Sequence, residues 1–395
     1  MRSSRIMEST SLRAAVSAQA LATGVTAALL GYASSVAVVV AGLVAVGASP
    51  AQVSTALLAL GIAMAVTSVA LSSWTRLPVS VVWSTPGLAL LATLGPIDGG
   101  FAAVTGAFVL TGLLIALTGL VSPLMRVLQQ LPTALTSAVL AGVLLPFCLA
   151  PAQALGPLPL QAGAICVAWL AAVRFAPRFA APAALLALLA VVVTSGGDVL
   201  GDGLAAPRLD VVAPTLTLQA VTAVALPLYL VTMAAQNLVG VSVLQAQGYR
   251  PPVGPLLVVT GGASAVVAPL GAPTVNLAAI TGALTAGPSA HADPARRWVA
   301  AAAAGITYLV LGLLSPLTAG LVASADPRLV ATAAGLGLLT AFLGAAAAAL
   351  AREQDRLAAG VTLLVTASGV TALGLSSAPL GLLAGLLVLV VARRR

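Results

Sequence analysis

The stretch "PVSVVWSTPGLALLATLGP", from Pro78 to Pro96, decides the fold. It begins with a proline, continues through β-favouring valine and tryptophan to the sequence STPG, and only then becomes a smooth apolar run. With its first residues extended, the stretch is too short to cross about 30 Å of hydrocarbon as one continuous helix. It therefore predicts an interrupted membrane segment, in which a short strand leads into a half-helix.

The rest of the chain has the composition of a polytopic membrane protein. Of its 395 residues, 60% are apolar and 7% are charged, and the mean hydropathy is +1.13. A soluble domain of this composition would aggregate. The partner that composition implies is the lipid bilayer, and the net charge of +8 indicates no nucleic acid. No signal-peptide cleavage site follows Arg13, so we expect the first helix to be retained.

Apolar runs between proline, glycine and charged residues predict fourteen membrane spans, which makes the fold class all-α with short strands in the third and tenth spans. The first span is long enough to allow a break around Gly31 to Ser35. The predicted spans are 13–46, 51–73, 78–94, 100–121, 132–149, 159–174, 179–195, 216–246, 253–269, 273–287, 297–322, 328–350, 357–374 and 377–392.

Arginine placement tests this count, because short cytoplasmic loops hold the basic excess. With the N-terminus inside, 15 of the 17 arginines fall in inner segments, and only Arg208 and Arg328 lie outside. One missed or invented span would reverse every later loop and destroy this asymmetry. The sequence therefore predicts a multi-pass membrane protein with both termini in the cytoplasm.

Fourteen spans suggest two halves of seven. Because seven is an odd number, the two halves would have inverted orientations in the membrane. Two proline-to-glycine spacings of the first half recur 195 positions later. The spacing of Pro78 to Gly87 recurs as Pro273 to Gly282, and that of Pro132 to Gly142 recurs as Pro327 to Gly337. The third and fifth spans thus correspond to the tenth and twelfth, and the stretch from Pro78 has "PTVNLAAITGALTAGP", residues 273–288, as its counterpart.

Interrupted segments at matching places in two halves are the best sequence indication of a transporter's central site. Extended backbone is tolerated at that depth only inside protein or against a cavity. Each half-helix would begin near the bilayer midplane with free N–H groups and the positive end of its dipole, which suits an anion and especially a carboxylate.

Polar side chains at the two interruptions are the first candidates for substrate contact. Ser84 and Thr85 stand where the first half-helix begins, with Pro86 in its first turn, and Asn276 holds the matching place in the second half. Capping of the half-helix by the serine and threonine, and a structural bridge by Asn276, are the alternative roles. Thr281 is expected to bond its own helix.

A third cluster lies in "MAAQNLVG", residues 233–240, where Gln236 and Asn237 are adjacent amides in an apolar helix. Such amides either join helices or face the bundle interior and a ligand. The corresponding polar patch of the first span contains Tyr32, Ser34 and Ser35, and Tyr32 could offer an aromatic face.

Catalytic and metal-binding groups are missing from the predicted spans. All nine acidic residues and the single histidine, His291, fall in termini or loops, and Cys148 and Cys166 lack metal-ligand spacing. A hydrolase would need a nucleophile with a base, paired acids or metal ligands. The sequence therefore predicts no enzyme, no metal and no cofactor.

Four motifs in order, covering essentially the whole chain, resemble the benzoate/proton symporter family, the BenE-type transporters. They are "RLPVSVVWSTPGLALLA" (76–92), "QNLVGVSVLQAQGYRPPVGPLL" (236–257), "NLAAITGAL" (276–284) and "GPSAHADPARRW" (287–298). The family is similar in fold to nucleobase permeases and sulfate-type anion transporters. This resemblance implies a core domain of residues 13–121 and 216–322 and a gate domain of residues 132–195 and 328–392.

The resemblance also implies a site between the third, eighth and tenth spans. It places Ser84 and Thr85, the backbone of Ala278 and Ala279, and Asn237 or Gln236 against substrate. Nucleobase permeases carry carboxylates in the eighth and tenth spans, where this chain has an amide and an alanine. The absence of those acids argues for an anionic substrate, which a carboxylate would repel.

The combined prediction is a secondary transporter that imports benzoate or a similar aromatic carboxylate with a proton as the coupling ion. The ring would lie against Trp83 or Tyr32, and the core would move against the gate to give alternating access. A nucleobase or inorganic-anion transporter of the same fold, an anion channel and a non-transporting scaffold remain alternatives. Related transporters often form a homodimer through the gate domain, which is an analogy only.

Overall fold

A computed structural model describes residues 17–196, 209–372 and 375–393, and these residues are mostly helical. The helices of the first part are α1 (Ala18–Ala45), α2 (Pro50–Thr75), α3 (Thr85–Ala92), α4 (Gly100–Leu120), α5 (Ser122–Gln129), α6 (Thr133–Leu155), α7 (Pro159–Phe175) and α8 (Ala180–Thr194). Those of the second part are α9 (Leu226–Thr232), α10 (Leu238–Ala246), α11 (Val253–Val267), α12 (Ile280–Ala286), α13 (Trp298–Leu313), α14 (Ser315–Ser324), α15 (Pro327–Leu350), α16 (Arg356–Ala367) and α17 (Ser377–Arg393).

Two short strands and two π-helical stretches interrupt these α-helices. The strands β1 (Val81–Trp83) and β2 (Val275–Leu277) precede the short helices α3 and α12, so both interrupted segments have the strand and half-helix that their sequences predict. Two π-helical stretches, Ala220–Ala225 and Met233–Asn237, precede α9 and α10.

Helix ends follow local capping rules. Ser49 and Gln52 form a capping box at the start of α2, where Pro50 takes the first helical position. Arg76 ends α2 in the left-handed region, with φ of 55°. Asp326 accepts a hydrogen bond from the backbone of Arg328 and so starts α15.

Among the described residues, eight helices are long and apolar enough to cross a membrane, and α13 with α14 would make a ninth. This length criterion leaves out the strand-and-half-helix segments and the shorter apolar helices α7 and α17. The helices confirm a polytopic membrane protein, whereas the count of fourteen stays a prediction.

Several predicted boundaries differ from the structure. Helix α1 is unbroken around residues 31–35, because the hydroxyls of Ser34 and Ser35 bond back to the carbonyl of Gly31 without interrupting the helix. Its predicted first residues, 13–16, lie outside the described part. Helix α6 continues to Leu155 with two internal prolines, beyond the predicted end at 149.

Other segments are subdivided or shorter than predicted. The segment predicted at 297–322 bends by 56° between α13 and α14. Helix α16 ends at Ala367, short of residue 374, which is not described. The short helix α5 was not predicted.

Small residues let the long helices approach closely. Gly61 of α2 meets Gly312 of α13, and a Cβ added at Gly61 would lie 3.0 Å from the Gly312 Cα. Gly112 of α4 likewise meets Gly261 of α11, whose carbonyl oxygen would lie 2.8 Å from an added Cβ. Such close backbone approach replaces the hydrophobic driving force that helices lack in lipid.

Candidate substrate site

The two strands cross in antiparallel orientation at the buried centre of the molecule. Their register places Val81 opposite Leu277 and Trp83 opposite Val275. A two-stranded sheet leaves one edge of each strand unpaired, which is costly away from water. The side chains that bond those edges belong to neighbouring helices and therefore hold these helices against the strands.

Two serines satisfy the outer edges in the same manner. Ser68 of α2 accepts a hydrogen bond from the Val81 N–H at 2.9 Å and donates to the Val81 carbonyl at 3.4 Å. Ser264 of α11 accepts from the Val275 N–H at 2.9 Å, and its hydroxyl donates to the Thr260 carbonyl of its own helix at 2.7 Å and to the Val275 carbonyl at 3.3 Å. One serine thus contacts both backbone groups of a residue in each strand. Sequence reasoning missed both serines, because a serine in an apolar helix more often bonds its own backbone.

The adjacent amides of the eighth predicted span satisfy the remaining edge of β2. Asn237 Oδ1 accepts from the Leu277 N–H at 3.0 Å, and Gln236 Nε2 donates to the Leu277 carbonyl at 3.2 Å. Asn237 Nδ2 also donates to Asn276 Oδ1 at 3.2 Å. Asn276 in turn donates to Thr274 Oγ1 at 2.9 Å. The three predicted amides therefore come together as one network that fixes the eighth span to β2.

The backbone around these amides is the π-helix Met233–Asn237, which inserts an extra residue into the helical turn. Such insertions re-aim side chains and are frequent at functional sites. Asn237 is fully buried and Gln236 is 7% exposed. Gln236 Oε1 has no donor among the described residues, which leaves an acceptor beside the strands.

The half-helix α3 begins with a side-chain cap. Ser84 Oγ accepts from the Gly87 N–H at 3.1 Å and from the Thr232 hydroxyl at 3.0 Å, so Ser84 joins α3 to α9. Pro86 and Gly87 are buried in the first turn, and Pro78 is buried ahead of the strand. Thr85 is half-buried, and its hydroxyl has no hydrogen-bond partner among the described residues. The serine is thus a cap, while the threonine keeps a free donor.

The half-helix α12 begins without a side-chain cap at Ala279. The N–H of the buried Ala278 already donates to the Ser80 carbonyl at 2.9 Å, whereas Ala279 is half-buried. The prediction that Thr281 bonds its own helix is wrong, because its hydroxyl shares a hydrogen bond with Tyr308 at 3.1 Å. Pro273 and Gly282, which mark the repeat, are both buried.

The predicted aromatic contacts lie in a buried column. Trp83 is 2% exposed, donates from Nε1 to Ser35 Oγ at 3.0 Å, and lies between Tyr32 and Tyr308 with centroid distances of 5.4 and 6.1 Å. Tyr32 shares a hydrogen bond with Thr318. In this conformation the aromatic column lies in the buried core beside β1. A direct contact of Trp83 or Tyr32 with substrate stays a prediction.

The two half-helices differ in exposure. In α3, Leu88 and Leu90 are 1% and 0% exposed, and the helix packs against α6. In α12, Ile280 is 63% exposed, and Ala283 one turn later is exposed as well. The topology predicted from the arginines would place α3 toward the outside, as an outer half-helix, and α12 toward the cytoplasm, as an inner half-helix. Helix α12 thus has an exposed face that α3 lacks.

A small apolar cavity of about 20 Å³ lies beside these elements, between α6, the eighth predicted span and α17. Val231, Ala234 and Ala235 line it immediately before Gln236, and Val139 and Leu382 face them. Nothing in the sequence distinguishes these residues from other apolar positions, so the cavity could not be predicted.

Charged side chains are scarce in the interior. Among the described residues, the buried charged side chains are Arg297 and Asp355, both at helix ends, and His291 lies in the loop before Arg297. No group of three or more potential metal-ligating residues occurs in the described ranges. Any anion near Thr85 and Gln236 would therefore meet no opposing carboxylate from the described chain.

Comparisons with known proteins show the family and the fold. The chain is 40% identical over 342 residues to the inner membrane protein YdcO of Escherichia coli, covering 85% of this chain and 86% of that protein. It is 30% identical over 291 residues to the benzoate membrane transport protein of Acinetobacter baylyi, covering 73% of each. Its fold resembles the transmembrane domain of a cyanobacterial bicarbonate transporter, BicA, with a TM-score of 0.52, 16% identity, and 94% and 98% of the two chains covered.

The family model described as BenE, benzoate membrane transport protein, matches residues 14–391. The resemblance inferred from the four sequence motifs is thereby confirmed, and the relatives are membrane transporters rather than enzymes. The chain is a membrane transporter that belongs to the BenE benzoate membrane transport protein family.

Proposed function

We propose that the protein imports benzoate or a similar aromatic carboxylate across the bacterial inner membrane together with a proton. The observation that carries this proposal is the free hydroxyl of Thr85 at the start of α3, close in sequence to the strand crossing and in a part of the chain without buried acids. A hydroxyl donor and the positive end of a helix dipole both favour a carboxylate.

The substrate class follows from what the site lacks as well as from what it holds. A nucleobase presents ring N–H groups that need acceptors, whereas most acceptors at the strands are already bonded within the protein. The relative from Acinetobacter is named for benzoate transport. The cavity next to Gln236 has the apolar lining that suits an aromatic ring, but at about 20 Å³ it would have to widen to admit one.

Proton coupling is proposed to occur through the substrate itself. No aspartate, glutamate or histidine of the described residues is buried at the strand crossing. Gln236 Oε1 is an acceptor without a donor, which suits the O–H of a protonated carboxylic acid. Transport of the neutral acid is equivalent to symport of the anion with one proton, and it requires no other cofactor.

The proposed architecture is fourteen spans in two inverted halves of seven. The contacts of Ser68 with Val81 and of Ser264 with Val275 support it, because the same hydrogen-bond pair occurs once in each half. Two glycine contacts support it too. At a shift of 200 positions, Gly61 corresponds to Gly261 and Gly112 corresponds to Gly312. Gly61 contacts Gly312 and Gly112 contacts Gly261, so the shift turns one contact into the other.

We further propose the core domain 13–121 with 216–322, the gate domain 132–195 with 328–392, and both termini in the cytoplasm. Alternating access would then consist of movement of the core, which carries the strands, against the gate. The exposed face of α12 supports an inward-open conformation. A homodimer through the gate domain remains a proposal by analogy.

Uptake into proteoliposomes tests the function. We expect labelled benzoate to accumulate when the outside is more acidic than the lumen, and the accumulation to vanish when an ionophore removes the gradient. Thr85→Val, which removes the hydroxyl at almost constant volume, should weaken apparent affinity about tenfold, equivalent to about 1.4 kcal/mol. Thr93→Val, at the other end of the same half-helix, is the matched control. Absence of gradient-driven accumulation would reject the proposal.

An inorganic-anion transporter is the second candidate, because the fold also matches that of the bicarbonate transporter. Competition of labelled benzoate uptake by unlabelled benzoate, uracil, sulfate and bicarbonate distinguishes the substrate classes. A channel would instead give currents without accumulation against a gradient.

A further inference from the structure

Arg297 is a buried cation at the cytoplasmic end of the inner half-helix. Its side chain is 7% exposed and bonds three backbone carbonyls. Nη1 donates to Ala286 at 2.9 Å, Nε to His291 at 2.8 Å and Nη2 to Ala292 at 3.4 Å. Ala286 is the last residue of α12, so the guanidinium binds a carbonyl that has no partner within its own helix.

The contacts of Arg297 are specific to its charge and shape. The ion pairs given by the described residues join Arg296 to Asp293 and Arg328 to Asp326, and neither includes Arg297. Carbonyl dipoles, including those at the negative end of α12, therefore balance the buried charge. A planar guanidinium can reach three carbonyls at once, whereas a lysine ammonium has neither the fork nor the same reach.

The loop that Arg297 organises, residues 287–297, is also held by other helices. Gln19 Nε2 and Thr23 Oγ1 of α1 both donate to the Ser289 carbonyl at 3.0 Å. The Tyr249 hydroxyl, in the turn between α10 and α11, donates to the Pro294 carbonyl at 3.0 Å. The Arg76 guanidinium at the end of α2 lies 4.8 Å from the ring centroid of Trp298. Helix α1 and the turn between α10 and α11 thus hold this loop, and the end of α2 contacts the residue that follows it.

We propose that Arg297 is a positioning residue for the substrate site and that the 287–297 loop fixes α12 relative to the rest of the core. Helix α12 has seven residues, so its two ends are only about 10 Å apart and a shift at Ala286 is transmitted to Ala279. Exposure of Ile280 and Ala283 leaves one face of α12 without packing, which makes the anchor at its end more important. This inference rests on the proposed function for its link to substrate.

The first experiment measures equilibrium binding of benzoate. Arg297→Gln should raise the Kd about tenfold or more, and Arg297→Lys should give a smaller increase because it keeps the charge but not the fork. Arg356→Gln is the matched control, since Arg356 Nε bonds the carbonyl of Leu350 at the end of α15 at 3.0 Å. The Kd of this control should equal that of the wild type. An unchanged Kd in folded Arg297→Gln would overturn the inference.

A second measurement needs no substrate and separates this inference from the proposed function. Hydrogen exchange of peptides covering residues 278–287 should be at least about tenfold faster in Arg297→Gln than in the wild type, whereas peptides of α6 should be unchanged. If wild-type protein fails to bind benzoate, this result still decides the positioning role. Should Arg297→Gln not fold, Tyr249→Phe removes one loop contact without burying an unpaired group. It should accelerate exchange in the same peptides by a smaller factor, and equal exchange would reject the inference.

Discussion

Asn237 Oδ1 accepts a hydrogen bond from the backbone N–H of Leu277 at 3.0 Å, so a side chain of one membrane helix takes the place of a third strand. With Gln236 on the Leu277 carbonyl, the two amides complete the edge of β2 that lipid could not satisfy. The same residues that attract attention as ligand candidates are therefore also what allows a strand to exist at this depth.

Replacing Asn237 by leucine should destabilise the protein and abolish binding together. The Leu277 N–H and the Asn276 amide would lose their partners, and each unsatisfied buried group costs about 1–3 kcal/mol. Gln245→Leu, at an exposed position of the same helix, is the control. Thermal unfolding in detergent and benzoate binding measure the two effects. Binding at wild-type affinity by Asn237→Leu would contradict a role for this network.

The two strand-bridging serines should be energetically equivalent. Ser68→Ala and Ser264→Ala each remove a donor and an acceptor from one strand residue, so each should lower the free energy of unfolding by about 1–3 kcal/mol. Ser73→Ala, which loses an exposed bond to its own helix, should change it by less than about 0.5 kcal/mol. Chemical denaturation of the three variants tests this. A large difference between Ser68→Ala and Ser264→Ala would argue against the internal repeat.

Close contact between α10 and β2 predicts a sharp effect at Gly240. A Cβ added there would lie 2.7 Å from the Leu277 Cβ and 2.8 Å from its carbonyl oxygen, so Gly240→Ala should push the eighth span away from the strand. We expect weaker benzoate binding and a lower unfolding temperature.

Gly262→Ala is the control for this change. Its added Cβ meets nothing within 4 Å, and in a helix the substitution should be neutral or stabilising by about 0.5–1 kcal/mol. Equal behaviour of the two alanine variants would show that α10 can move from β2 without cost.

The interrupted segments could be predicted from sequence because proline and glycine constrain the backbone directly. Pro78 and Pro273 precede extended residues, and the structure has a strand after each. The amides Gln236 and Asn237 were predicted as candidates because an uncompensated amide is costly in an apolar helix. The serines that bond the other strand edges, Ser68 and Ser264, could not be identified, since a serine that bonds only its own helix has the same sequence environment.

Side-chain direction explains the remaining differences. Trp83 and Tyr32 were predicted to contact a substrate ring because of their chemical type. The alternation of β1 and the rotation of α1 place both in a buried aromatic column, and the contact with a ring stays a prediction. The π-helix Met233–Asn237 changes the direction of the Gln236 side chain, and no sequence pattern predicts this π-helix. Arg297 was predicted only as one of the inner arginines, since burial of its guanidinium depends on the path of a loop.

The unequal half-helices predict which side of the membrane reaches the site. In a variant with Cys148 and Cys166 replaced by alanine, Ile280→Cys should react with a membrane-impermeant maleimide in inside-out vesicles. Leu88→Cys of the outer half-helix should stay unlabelled, because Ile280 is 63% exposed and Leu88 only 1%. Saturating benzoate should slow labelling of Ile280→Cys if the substrate occupies the same face. Labelling of Ile280→Cys only in right-side-out vesicles would reverse the proposed orientation, and absence of labelling from both sides would mean that this face contacts lipid.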